Sequence, residues 1–199
     1  MKKISLLALI VMTSTMVFAQ PPKFGLKAGL NVATLTDVPG LNWSNRIGLH
    51  AGALAHIHIT PQFAVQPEVV YSGQGAKYTI NGEEHTLGLD YINIPVQLQY
   101  MFDNGFRIQT GPQLGLLINT KDKVNGQNSQ FFSSEDFKST DVSWTFGLGY
   151  LTYSGLGIDG RYNLGLTNIN DAGANSLKNN VFQVGLFYML DNSHKAKSR

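Results

Sequence analysis

His50, His56 and His58 are spaced by even numbers of residues, so in a β-strand all three project from one face. Two imidazoles at i and i+2 can share a metal ion, and Glu68 lies on the next alternating stretch. A tight turn at Thr60-Pro-Gln62 that sets Ile59 against Phe63 places His56 opposite Gln66 and Leu54 opposite Glu68. No third ligand is delivered, and the histidines read as hydrogen-bonding residues of a wet interior. Ser72, His50 and Asp159 can also share a face, but no nucleophile elbow or oxyanion device accompanies them. The glycines recur at period two, without the spacing of a phosphate loop. No catalytic residue, metal or cofactor is therefore expected, and the chain is not read as an enzyme. Six charges remain on the glycine-bearing face: Lys27, Arg46, Glu68, Arg107, Asp159 and Arg161. Their expected role is a structural ion-pair network. The loop Lys121–Lys138 carries Phe131, Phe132 and Phe137 amid Asn, Gln and Ser. These rings either contact a partner or pack on the loop itself or at a lipid boundary.

Strands must position these residues. Apolar side chains alternate with glycine and polar residues along eight stretches: 24–32, 46–59, 63–72, 92–100, 106–116, 142–150, 156–166 and 182–190. That period of two belongs to β-structure, and no stretch shows a helical period. Connections alternate between short ones (Thr60–Gln62, Asp103–Gly105, Thr152–Gly155) and long ones (Leu35–Asn45, Thr79–Thr86, Thr120–Ser139, Thr167–Asn179). Short turns at one end and long loops at the other describe an all-β, eight-stranded, antiparallel up-and-down transmembrane barrel. Pro67, Pro95 and Pro112 each remove a ladder donor, so bulges or offsets are expected beside them.

Composition decides which face meets which medium. The 199 residues are 43% hydrophobic but only 14% charged, with 21 glycines and no cysteine. Ordinary soluble domains carry about 25% charged residues. A soluble barrel would turn a lysine- and glutamate-rich face to water. Here the second face is Gly, Gln, Asn and Ser with isolated charges, which suits a lumen. The first face is Leu, Ile, Val and Phe, which suits lipid. Phe24, Phe63, Tyr100, Phe106, Tyr150 and Tyr188 gather at the short-turn end as an interfacial girdle. Met1–Ala19 has two lysines, a short apolar run and a small-residue cleavage site, the pattern of a secretory signal peptide. Removing Lys2 and Lys3 from 15 basic residues leaves 13, against 13 acidic. No electrostatic footprint for nucleic acid remains. The expected layout is a cleaved signal at 1–19, a barrel at 20–190 and a polar tail at 191–199. The expected location is the outer membrane. The expected partners are its lipid, the barrel-insertion machinery and a protein whose identity is not legible.

Several stretches resemble the PorT-like family of small outer-membrane barrels of Bacteroidetes, also described as the outer membrane protein beta-barrel domain. They are the opening Phe24–Thr34, the strand Leu89–Tyr100 with its Tyr-x-x-Ile-Pro pattern, and Thr110–Leu117 with Gly-Pro-x-x-Gly. Trp144–Gly149 and Arg161–Ile169 fit the last third. The resemblance covers nearly the whole exported chain and implies the fold. For function it implies a structural or interaction role, through external loops or periplasmic contacts, with a largely filled lumen. A small porin-like pore and an accessory part in a type IX-like secretion apparatus are the alternatives. Many such barrels end on an aromatic residue of the last strand, whereas nine polar residues follow Leu190 here, so either an internal signal around Phe187-Tyr188 is expected to serve, or the tail is cleaved or tolerated.

Overall fold

The computed structural model describes residues 21–36, 42–80, 82–129, 132–171 and 176–190. The signal segment, Phe131 and the tail 191–199 lie outside the described residues. Eight long strands form the frame: β1 (Lys23–Thr36), β2 (Asn42–His58), β3 (Phe63–Ile80), β4 (Glu83–Met101), β5 (Phe106–Val124), β7 (Thr140–Leu151), β8 (Leu156–Gly165) and β9 (Lys178–Met189). A ninth, β6 (Gln127–Ser129), folds back on the end of β5. Neighbours in sequence pair antiparallel, β5 pairs β7, and β1 closes on β9 from Gly25↔Met189 to Thr36↔Lys178. Closure leaves no sheet edge, the condition a strand must meet in hydrocarbon. Among the described residues no helix is long and apolar enough to cross a membrane.

Within the ring the faces segregate by chemistry. Outward residues such as Leu26, Ile47, Leu49, Val69, Leu148 and Leu186 are exposed, Ile47 to 71%. Inward neighbours such as Lys27, Asn31, Gln97, Gln99 and Thr145 are buried. At the short-turn end the outward rings of Phe63, Tyr100, Phe102 and Phe106 follow one another at centroid distances of 5.1, 5.0 and 5.6 Å. This continuous aromatic belt suits a membrane interface.

Above the lipid band the polarity inverts. On β3 the inward residues become apolar (Ala76, Tyr78) while Lys77 and Thr79 face out. On β4 Leu87 and Leu89 turn inward while Glu84 and Thr86 face out. Outside lipid a sheet needs its apolar face on a core and its polar face in water. The strands therefore continue beyond the stretches that the lipid-type alternation marks. Thr79–Thr86 is a tight hairpin whose ladder runs to Ile80↔Glu83, not a long loop. Thr120–Ser139 likewise begins with more β5 and the β6 hairpin. Asn125 (φ 49°) and Gly126 (φ 84°) make that turn, the left-handed pair that an Asn-Gly dipeptide supplies.

The prolines behave otherwise than expected. Pairing is interrupted beside Pro67 and Pro95, but the register is the same on either side, and Pro112↔Trp144 lies within a continuous ladder. The shifts occur between Asn45 and His50 on β2 and between Asp90 and Tyr91 on β4. The second leaves Ile118 as an extra residue between Leu117 and Asn119. It exchanges the faces of β5, so that Asp122 points inward while Lys121 and Lys123 point out.

Candidate functional site: a charged lumen

Four of the six anticipated charges meet at mid-barrel. Arg161 on β8 donates from both terminal nitrogens to Glu68 on β3, at 2.8 and 2.7 Å. Lys27 on β1 lies 3.4 Å from Glu68 and 3.1 Å from Asp159. The Arg161 Nε approaches Asp159 at 2.8 Å, where the angle makes it an ion pair rather than a directed hydrogen bond. Gln66 adds a bond of 2.7 Å to Glu68. Two cations and two anions thus form a closed, neutral quartet, with Glu68 only 2% exposed. Forked guanidinium–carboxylate pairing is the strongest form of such contacts. Gly147 makes room for it, since a β-carbon there would stand 2.9 Å from the Arg161 side chain.

Arg46 and Arg107 do not join the quartet. Arg46 sits beside the β2 bulge, six residues along from the strand partner of Lys27, and its guanidinium bonds the carbonyl of Gln74. Arg107 has no carboxylate within ion-pair distance among the described residues. Its guanidinium stands 5.4 Å over the Phe187 ring and donates one long bond, 3.4 Å, to Gln99.

Amides and hydroxyls fill the space above the quartet. Asn31 donates to Ser72 at 2.9 Å and accepts from Gln183 at 2.9 Å, and His50 Nδ1 lies 2.8 Å from the same Asn31 oxygen. Across the lumen Thr145 donates to Gln97 at 2.7 Å. His56 Nδ1 lies 3.1 Å from Gln66, and Leu54 pairs with Glu68. Among the described residues no three His, Asp or Glu side chains are arranged to hold a metal ion.

Apolar clusters lie at both ends of the lumen. At the short-turn end Leu54, Phe187 and Met189 pack together with Leu151. At the long-loop end Leu35, Ala76, Tyr78, Leu87, Leu89 and Tyr91 meet Phe137, Ile169 and Leu177 from the loops. Backbone bonds stitch the two loops: Lys138 to Ile169 at 2.8 Å, Ile169 to Leu177 at 2.8 Å and Asp171 to Asp136 at 3.0 Å. Phe137 is 5% exposed, and Phe132 packs edge-on against Tyr78 at 5.6 Å. Phe132 and Phe137 also lie against each other, at a centroid distance of 5.8 Å. Sequence pattern alone did not reveal this cap, although the apolar inward run of the β3–β4 hairpin is its signal. Burial and the hydrogen bond to Asp122 hold the Tyr78 hydroxyl well above its ordinary pKa, so it stays a neutral donor.

A ring of strands with apolar residues outside and polar ones inside is a transmembrane β-barrel of the outer-membrane type. The chain belongs to the outer membrane protein beta-barrel domain family, which matches residues 18–171. Its fold is similar to that of Neisserial surface protein A, with a TM-score of 0.52 at 15% identity, covering 83% of this chain and 96% of that one. It is also similar to Ail, the attachment invasion locus protein of Yersinia pestis, with a TM-score of 0.50 at 12% identity over 86% and 100% of the two chains. No curated protein matches the sequence significantly.

Proposed function

We propose that this protein is a filled, non-conducting and non-enzymatic barrel of the outer membrane that acts structurally or through contacts made at its ends. The observation that carries this reading is the lumen, with a neutral quartet at its centre and an apolar cluster at each mouth. An eight-stranded barrel has an interior just wide enough for side chains to fill. The strand motifs around Tyr91–Tyr100 and Thr110–Leu117 support placement among PorT-like barrels. In that reading residues 1–19 are removed on export, 20–190 insert, and the polar tail extends on the periplasmic side. The partners are outer-membrane lipid, the insertion machinery and a protein met through the external loops or on the periplasmic side.

Purified protein in planar bilayers should give a closed baseline. A large, steady conductance would promote the small pore instead.

Orientation follows from loop length, with the short turns in the periplasm. The chain has no cysteine, so single-cysteine variants report cleanly. A membrane-impermeant maleimide on intact cells should label Thr79→Cys at the hairpin tip and spare Asn104→Cys in a short turn. The reverse pattern would invert the topology.

A further inference from the structure

Where the polarity of the sheet inverts, the outer face of β4 gathers cations from three neighbouring strands. Leu87 and Leu89 point into the cap, so Thr86 and Gly88 point out. A β-carbon on Gly88 would stand 3.2 Å from the Arg46 guanidinium, which therefore lies over the outward side of β4. To reach it from β2, Arg46 crosses β3, where Gly73 and Gly75 leave its path open and Gly75 is the strand partner of Gly88. Lys121 pairs with Gly88 from the other side. Its ammonium is held 3.2 Å from Asp90, which also accepts from Asn119 at 3.1 Å. The next outward residue of β4, Thr86, stands between Lys77 and Lys123. Lys77 pairs with Glu84 at 2.7 Å. Among the described residues Arg46 and Lys123 have no carboxylate within ion-pair distance, and Arg46 makes one bond, to the Gln74 carbonyl. The patch therefore keeps unbalanced positive charge.

Two features choose the occupant. The patch is continuous with the lipid-facing side, since the outward residues just beneath it are Tyr71, Ile92, Leu116 and the exposed Ile47. It thus stands at the level where hydrocarbon gives way to headgroups. Its charge is complementary to the phosphates found there: a guanidinium fork takes two oxygens and an ammonium adds a point charge. We propose that Arg46 and Lys121, flanked by Lys77 and Lys123, form a site on the outer face of β4 for the phosphate of a membrane lipid. The Asp90 carboxylate is the base of this site, neutralised by Lys121 and Asn119 and holding the ammonium beside Gly88. The site rests on the membrane reading above and takes from it the leaflet it serves, the one at the long-loop end.

The test places the purified barrel in phosphatidylcholine vesicles with traces of spin-labelled lipid, and electron spin resonance reads the fraction of label held at the protein surface. Labelled phosphatidic acid should associate about threefold more strongly than labelled phosphatidylcholine, because cations at the headgroup level attract anionic lipid. Arg46→Gln should bring that ratio most of the way to one, and Lys121→Gln part of the way. Gly88→Val keeps every charge but displaces the guanidinium, and should act like Arg46→Gln. Lys178→Gln removes an exposed cation on the opposite side of the ring and should change nothing. Heat-modified migration checks that each variant is folded; if Gly88→Val is not, the Arg46 and Lys121 variants carry the comparison. A ratio near one in the wild type overturns the site. Equal preference for labelled stearate with its carboxylate ionised, or an equal loss in Lys178→Gln, shows diffuse surface charge and also overturns it. Loss of the preference on adding inorganic phosphate at constant ionic strength gives the site to a soluble anion and overturns the lipid assignment. Inverted maleimide labelling of Thr79→Cys and Asn104→Cys would move the site to the other leaflet without altering the ratio, so topology and site fail separately.

Discussion

Glu68→Gln is expected to destabilise the barrel by about 3–5 kcal/mol, the cost of removing one partner from a dry buried pair. Glu68 receives two bonds from Arg161, one contact from Lys27 and one bond from Gln66. Glutamine keeps the volume but presents an amide group where one oxygen stood. Donor then faces donor, and the quartet carries an uncompensated positive charge. Urea unfolding in micelles, read by the different migration of unheated and boiled protein, measures the loss. Glu84→Gln is the control, because the Lys77–Glu84 pair at 2.7 Å is solvent-exposed and such pairs contribute about 0.2–1 kcal/mol. Adding Arg161→Met to Glu68→Gln should recover part of the loss, since Lys27 and Asp159 can still pair at 3.1 Å. A loss no larger than that of the control would mean that water reaches the quartet and that the lumen is wetter than its geometry indicates.

Phe137→Ala should have an effect as large but confined to one end of the molecule. Truncating a buried phenylalanine costs about 3–5 kcal/mol. Phe137 bridges to Asn170 and packs in the cluster that joins the hairpin to both loops. The ladders of the ring do not pass through it, so the loss falls on opening of the cap rather than on global unfolding. At a factor of ten per 1.4 kcal/mol, the open population should rise by about two to three and a half orders of magnitude. Hydrogen exchange at the amides of Lys138, Ile169 and Asp171 should accelerate accordingly, and limited proteolysis should cut between Ser133 and Ser139. Heat-modified migration should stay as in the wild type, and Phe137→Leu should restore most of the protection. A fall in the global unfolding midpoint matching the exchange effect would show instead that cap and barrel unfold as one unit.

The barrel, its lipid-facing side and most of its pairing were legible in the sequence because they are local properties. A period of two marks a strand, and the residue types on each face state which medium each face meets. Turn length then sets register, which is why Leu54 opposite Glu68 can be read from Thr60–Gln62 alone. Strand ends were less legible. Beyond the membrane the same period continues with its polarity exchanged, as at Ala76, Tyr78, Leu87 and Leu89. A reading tuned to lipid takes that exchange for the end of the strand. The proline expectation failed for a related reason: losing one donor can be absorbed by a local gap in the ladder, whereas a bulge displaces every side chain that follows it.

Only the closed structure decided the contents of the lumen. Lys27 and Asp159 are 132 residues apart, and Arg161 and Glu68 are 93 apart. Alternation says that all four point inward but not how high each stands or which faces which. Those relations depend on strand stagger around the ring and on position along each strand: Arg46 pairs with Ala33, six residues along from Lys27, and so stands far from the quartet. A shared face is therefore written in the order of residues along one strand, while a charge partner is chosen across a cavity that exists only once β1 has closed on β9.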